Sequence, residues 1–439
     1  MRETPSPFPD TQPSYDLISL AVLDSFPRGE AKGVTMTNTH PIELLAPAGS
    51  FESALSALHF GADAIYAGGP FLQLRAGQTA FTLEKIKETA ALCHARGAKM
   101  YIAANAFTFP EELAKMGEYA EDLKAAGADA MIVSDIGSIV TIKRVCPEME
   151  VHVSTQANCM NHETANLYYH LGAKRVVLAR ELSIDQVKMI RDNTPADLDI
   201  EAFVHGAMCM AYSGRCMLSA YLTGRSANRG GCAQSCRWKF ALTEEKRPGE
   251  YFPIEEDPDG DTILSSYDLC ALPVLDEILA AGVTSLKIEG RMKTPYYVAG
   301  AVNAYRMYLD GGKPEDSMRE LLSISHRPYS TGFYKGEIKN SIHAPAGYFK
   351  DCDYVGPVIS REGDRVRVQV KNKVTAGTEI EALTPGAPGI RFIAENMLSD
   401  AGEPIDVAAV PDTYFTLPAP DGIGEGDFLR VRHEDEFHG

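Results

Sequence analysis

This sequence predicts an α/β fold built as a closed (βα)8, TIM-like barrel, followed by a small antiparallel β-barrel domain. Three observations predict it. From residue 42 onward, short apolar runs alternate with amphipathic helical stretches. Eight such runs occur before the pattern stops. A Gly-Ala-x step precedes successive runs, at Gly61, Gly97, Gly127 and Gly172, with Gly282-Val283-Thr284 as a variant. Strands alternating with helices at this spacing make a parallel sheet, and eight of them close a barrel. An open, doubly wound sheet is the alternative arrangement of the same units.

The expected strands are 42–46, 64–67, 100–104, 131–133, 151–153, 176–179, 200–204 and 285–288. The expected helices are 51–60, 83–96, 111–126, 136–145, 162–171, 184–192 and 272–281, with a last one at 297–309. The glycine of each Gly-Ala-x step is placed to end a helix in the left-handed conformation. Residues 1–40 are rich in Pro, Ser, Thr and Asp without a period, and read as a disordered tail or a mis-assigned start, with Met36 as the alternative first residue. The barrel is expected over residues 41–327. Beyond Arg327 the helical period gives way to short β-rich runs at 354–359, 365–370, 378–383, 390–394, 405–409 and 428–431, so residues 328–439 are expected to form the small β-barrel.

The pattern breaks once, between the seventh strand and its helix, at residues 206–268. Long βα connections are usually functional, and in a barrel they emerge on the face where active sites sit. This one carries Cys209, Cys216, Cys232 and Cys236, and Cys270 follows it. It also carries Arg215, Arg225, Arg229 and Arg237, with Lys239 next, in a chain of formal net charge −18. Such a charge argues against general nucleic-acid binding but permits a local basic patch.

Composition bounds the rest. With 439 residues, 45% hydrophobic and 23% charged, the chain is an ordinary globular protein large enough for two domains. No apolar run has bilayer length and no secretory signal is evident, so a cytoplasmic location without membrane partners is expected. Nine cysteines in that setting are core residues, metal ligands or redox groups rather than a disulfide framework. Small buried hydrophobes are one reading of the loop cysteines, but a polar, Arg-rich loop offers little core to hide them. Zinc prefers two close pairs, and only Cys232-x3-Cys236 has that form. The irregular C-x6-C-x15-C-x3-C spacing suits an iron–sulfur cluster better, with Cys236 and Cys270 competing for the fourth place. Cys93, Cys146, Cys159 and Cys352 lie apart from this group.

Polar residues cluster at the predicted strand ends: Asn105; His152, Ser154 and Gln156; Arg180 and Glu181; Glu201 and His205; Lys287, Glu289 and Arg291. Arg75 lies in the second βα loop. In a barrel these converge on one pocket, although Ser183 also fits an N-cap and any of the charges also fits a structural ion pair. His205, Glu201, Arg180 and Glu289 are the candidate acid–base residues. Arg75, Asn105, His152, Gln156, Arg180, Lys287 and Arg291 are the candidate substrate-binding residues. A pocket with several guanidinium and ammonium groups suits a small dicarboxylate. Neither a phosphate loop, a nucleophile elbow nor a HExxH helix is present; His205 and Ser213 are a weak base–nucleophile pair.

The run Glu201-x-Phe203-x-x-Gly206-Ala207-Met208-Cys209, followed by Gly214-x-Cys216-x-Leu218-Ser219, resembles the signature of the collagenase-like peptidases of unknown catalytic type. Leu45-Ala46-Pro47-Ala48-Gly49, Ser154-Thr155-Gln156-Ala157-Asn158 and Lys287-Ile288-Glu289-Gly290-Arg291 extend that resemblance. It implies a 4Fe-4S cluster on Cys209, Cys216, Cys232 and either Cys236 or Cys270. It also implies one of three activities. One branch makes 5-hydroxyuridine at the tRNA wobble position and depends on prephenate, a dicarboxylate. A second hydroxylates a cytidine of the large ribosomal RNA, and a third the ubiquinone ring. Length and the single appended domain are most similar to the tRNA branch. The resemblance thus implies tRNA and prephenate as partners, and an electron donor if the cluster transfers electrons. The rival readings are a peptidase and a non-catalytic RNA-binding factor.

Overall fold

A computed structural model of the chain describes residues 42–74, 81–209, 211–238, 241–243, 251–253, 266–336 and 348–433. The tail at 1–40 and its alternative start lie outside these residues, as do Arg75, Lys239 and parts of the long insertion.

Eight parallel strands close the barrel. They are β1 (Glu43–Ala48), β2 (Ala64–Gly68), β3 (Lys99–Ala103), β4 (Ala130–Val133), β5 (Glu150–Val153), β6 (Arg175–Val177), β7 (Asp199–Ala207) and, after an insertion strand β8 (Asp268–Cys270), β9 (Ser285–Ile288). β9 pairs with both β1 and β7, which rules out the open sheet. The Gly-Ala-x glycines take positive φ as expected, from 73° at Gly97 to 94° at Gly61. Ser50, Thr82, Asp135, Asn161, Ser183 and Thr294 cap the helices that follow, and Ser183 with Gln186 forms a full capping box.

Three details differ from the expectation. The helix expected at 111–126 is two, α3 (Pro110–Leu113) and α4 (Met116–Ala125), after α1 (Phe51–His59) and α2 (Leu83–Ala95). The helix expected at 272–281 opens as a 3-10 turn, Leu272–Val274, before the α-helix Leu275–Ala280. A helix at Pro314–Ser323 was not expected; its burial pattern packs it against the preceding helix, Pro295–Leu309.

Seven of the C-terminal strands form an antiparallel sheet that curves into a half-barrel rather than closing, and Val374–Thr375 pairs separately with Val407–Ala408. Its alternating inner face buries Val366, Val368, Phe415 and Leu417. It packs on the barrel through Phe428, which stacks at 6.0 Å on Phe60, and through buried Arg430, which donates to both Glu320 oxygens at 2.8 and 2.6 Å. Beyond Arg327 the chain keeps contact with the barrel: Tyr329–Ser330 pairs with β8, and the Tyr334 hydroxyl donates to the Phe203 carbonyl at 2.6 Å.

Candidate active site at the barrel mouth

The barrel interior is polar in two layers. The lower layer is a chain of buried ions. Arg175, at the start of β6, donates to Glu43 at 2.5 Å and to Glu201 at 3.1 Å. Lys287 of β9 donates to the other Glu201 oxygen at 2.6 Å. Burial alone would raise the Glu43 carboxyl, but Arg175 beside it outweighs this and holds it at about 2. Glu201 is likewise held low against its burial by Lys287 and Arg175. His152 sits in this layer, wholly buried, 3.1 Å from Glu150 and edge-on to Tyr101. Burial pushes its imidazole down.

Above it, at the C-terminal ends of the strands, lies a cavity of about 150 Å³. Tyr66 and Phe203 wall it, with Asn105, Gln156, Arg180, Lys287, Glu289 and Arg291 contributing polar atoms. Arg180 lies 3.8 Å over the Phe203 ring and donates to Glu289 at 2.8 Å. The Lys287 ammonium lies 4.4 Å over Tyr66. Asn105 is 8% exposed; its amide N–H donates to Ser154 at 2.9 Å, and its Oδ1 has no hydrogen-bond partner among the described residues. Gln156 Oε1 is also without one. A buried acceptor left in this state awaits an N–H or O–H donor.

The insertion roofs the cavity. Cys209, Cys216 and Cys232 line it, together with Tyr212, Ser213 and Asn228. Two contacts hold the roof down. Glu181 accepts from the Ser213 backbone N–H at 2.9 Å and its hydroxyl at 3.1 Å. Gly214, with φ +74°, runs so close to the Gln156 carbonyl that a Cβ would stand 2.1 Å from it.

Burial raises the Cys209 thiol, with Arg180 pulling the other way. Burial also raises Cys236, which feels the charges of Cys209, Cys232 and Cys216. Cys209, Cys216 and Cys232 thus share the cavity wall with Cys236 near enough to feel their charges, although among the described residues no group of three has ready-made metal-binding geometry. Their donor chemistry fits a thiolate-ligated cluster: four soft ligands on one loop, whose protons a metal would displace. Cys270 is elsewhere. It lies on β8 opposite His205, and burial pushes it up to about 12.

The structure brings together Asn105, Gln156, Arg180, Lys287, Glu289 and Arg291 on the cavity wall. Glu201 and His152 fall in the ion layer beneath it. His205, expected as an acid–base residue, is not on that wall. It is wholly buried behind the strand, with Tyr297, Tyr305 and Tyr329 at 6.0, 5.7 and 5.5 Å. A bulge in the β7–β9 ladder at Lys287–Ile288 adds a residue and turns His205 to the outer face. The His205–Ser213 pair is therefore not formed. Glu181, named among the strand-end residues, tethers the roof; Tyr66, Phe203 and Arg175 were missed as contributors, the two aromatics because they looked like ordinary core.

A mouth-facing cavity roofed by a cysteine-rich loop on a (βα)8 barrel defines an enzyme-like architecture. The chain belongs to peptidase family U32: residues 49–343 match that family, and residues 350–430 match its C-terminal domain. Over 442 residues it is 35% identical to tRNA hydroxylation protein P of Escherichia coli, covering 89% of this chain and 96% of that one. It is 34% identical to a collagenase of Porphyromonas gingivalis, over 68% of this chain and 75% of that one. It is 38% identical to the 23S rRNA 5-hydroxycytidine C2501 synthase of E. coli, over 62% of this chain and 40% of that one. Among the described residues no helix is long and apolar enough to cross a membrane.

Proposed function

We propose that this chain is an iron–sulfur hydroxylase of tRNA that converts the wobble uridine to 5-hydroxyuridine with prephenate as co-substrate, in the cytoplasm. The observation that carries the reading is the meeting of three loop thiols, Cys209, Cys216 and Cys232, with a cationic, acceptor-lined cavity at the barrel mouth, Cys236 standing near them. The extent of the match to tRNA hydroxylation protein P supports it. Cys209, Cys216, Cys232 and Cys236 are the residues that would hold the 4Fe-4S cluster, since Cys270 faces Tyr305 and His205. Bound there, the cluster supplies redox or Lewis-acid chemistry beside the cavity.

The chain's own groups divide the remaining work. Arg180 and Arg291 grip carboxylates, with Arg180 exchanging its Glu289 partner for the ligand. Lys287, fixed by Glu201, keeps a positive field under the cavity. Asn105 Oδ1 and Gln156 Oε1 accept from substrate N–H or O–H groups. The tethered roof at Ser213–Gly214 excludes water.

Mass spectrometry of tRNA nucleosides from a deletion strain, with and without this gene restored, tests the reading. Loss and recovery of hydroxyuridine-derived nucleosides is expected; unchanged nucleosides in a strain lacking any second such gene would sink it. Prephenate dependence that persists in Arg180→Ala would remove the pocket assignment. Anaerobic purification should yield iron and sulfide, and a colourless, zinc-only protein would remove the cluster.

A further inference from the structure

The roof of the cavity has an outer surface that the proposed chemistry does not use. Between Ala202 and Trp238 the chain has no carboxylate at all, in a protein of formal net charge −18. Elsewhere its arginines are largely consumed by ion pairs, as Arg175, Arg327 and Arg430 are. On the roof Arg229 is also spent, on Glu112 at 2.7 Å. Arg215 and Arg225 are exposed, and no carboxylate among the described residues pairs with either.

Interleaved with these cations are large side chains held in water. Tyr221 is 85% exposed, Tyr212 58% and Trp238 46%. They belong to one continuous rim. Tyr212 lines the cavity itself. The short helix Leu218–Thr223, which carries Tyr221, packs against the turn Ser235–Arg237 that leads into Trp238. Arg237 donates to the Tyr348 hydroxyl at 3.3 Å, and Tyr348 in turn lies under Lys293 at 5.1 Å, at the end of β9. The aromatic surface therefore runs from the cavity wall outward around its mouth.

Exposed aromatic rings cost solvation unless something covers them, and unpaired arginines among them set the sign of what does. A base with an open π-face and a phosphate beside it satisfies both. Duplex RNA hides its bases within the stack, whereas a loop presents them. We infer that this rim is a docking surface for a single-stranded RNA loop, its unpaired bases stacking on Tyr212, Tyr221 and Trp238 and its phosphates meeting Arg215 and Arg225. The inference rests on the reading of the chain as an RNA hydroxylase and adds which surface holds the substrate.

The test is fluorescence anisotropy with the full-length protein and two labelled RNAs: a hairpin with a seven-nucleotide loop, and a blunt duplex of the same stem. The hairpin should bind more tightly. Tyr221→Ala and Trp238→Ala should each weaken hairpin binding by about fivefold or more, the scale of one lost base–aromatic stack, and leave duplex binding unchanged. Tyr221→Phe and Trp238→Phe should retain the affinity, since the ring remains. Arg215→Ala with Arg225→Ala should lower the slope of log affinity against log salt by about 1.4, two single-strand phosphate contacts. Equal affinity for the two RNAs, or hairpin binding indifferent to both alanine variants, overturns the docking surface. Nucleoside analysis separates this from the parent reading: hydroxyuridine restored by wild type and undiminished in the Tyr221→Ala, Trp238→Ala double variant overturns the surface alone. Tight, ring-dependent hairpin binding without restored hydroxyuridine upholds the surface and overturns the reaction.

Discussion

The floor and the mouth of the barrel hold similar numbers of charged and polar side chains within a few strand positions of each other, yet treat them differently. On the floor the charges of Glu43, Arg175, Glu201 and Lys287 compensate one another along a chain of contacts between 2.5 and 3.1 Å, although Arg175 Nε and His152 Nδ1 are without a partner among the described residues. At the mouth, Asn105 and Gln156 keep an acceptor without a partner among the described residues, and thiols and rings face the cavity or solvent. Charges that compensate one another rigidify a fold; acceptors left open beside a cavity are where a ligand finds its partners. Glu201 and Lys287 illustrate the boundary. Lys287 contributes to the cavity above, but its charge is anchored from below.

Breaking the floor should have the largest effect. Arg175→Leu leaves Glu43 and Glu201 buried with one fewer cation and should destabilise the protein by about 3–5 kcal/mol, measured by denaturant unfolding. A change below 1 kcal/mol would mean that the floor is not the self-contained network described here.

Acid should attack the barrel from behind β7 as well as from the floor, with a sign set by His205 and Glu43. Burial holds His205 at about 3 against an ordinary 6.5, so below pH 6.5 the unfolded chain binds the extra proton. That stability is lost as pH falls from 6.5 towards 3, by about 2 kcal/mol between pH 6.5 and 4.5. Glu43, held at about 2 against 4.5, adds a second loss only below pH 4.5. His205→Phe, packed among the same tyrosines, should flatten the upper limb of the pH–stability curve and leave the lower one. An unaltered upper limb would contradict a neutral, buried His205.

At the mouth, Asn105→Ala should cost only about 1 kcal/mol of stability, for the lost bond to Ser154, while lowering the proposed hydroxylation by up to about tenfold. The contrast with Arg175→Leu is the point: a small loss of stability with a clear loss of function. The smallest effect belongs to the outer surface, where the exposed Lys188–Asp192 pair should give under 0.5 kcal/mol when Lys188 is replaced by Ala.

Much of this was legible in the sequence, for physical reasons that can be named. The barrel followed from helix and strand periods and from glycines that stop helices. The rule that strand ends meet brings Asn105, Arg180, Lys287 and Glu289 to the cavity wall, where the structure has them. The rule failed at His205 because a single bulge reverses which face a residue takes, and nothing local in the sequence marks it. Arg175 went unseen because an arginine at the start of a strand reads as solvent-facing until its long-range partner, Glu43, is known. The open form of the C-terminal sheet is a matter of edge pairing, to which alternation within a strand is blind.

One piece of the insertion bears on more than chemistry. β8 returns antiparallel to the last residues of β7, Asp268 opposite Ala207 and Cys270 opposite His205. Asp268 is pinned in turn by Arg327, at 2.7 Å and 3.0 Å. The whole excursion therefore leaves and rejoins the barrel on a single short ladder, like a drawn purse-string. Its two ends stay together whatever its length, and doubling a flexible loop adds only about 0.6 kcal/mol of closure entropy. The anchors of the roof thus belong to the barrel's own hydrogen-bonded frame, with the Ser266 hydroxyl donating to the Met208 carbonyl at 2.8 Å where the excursion begins and ends.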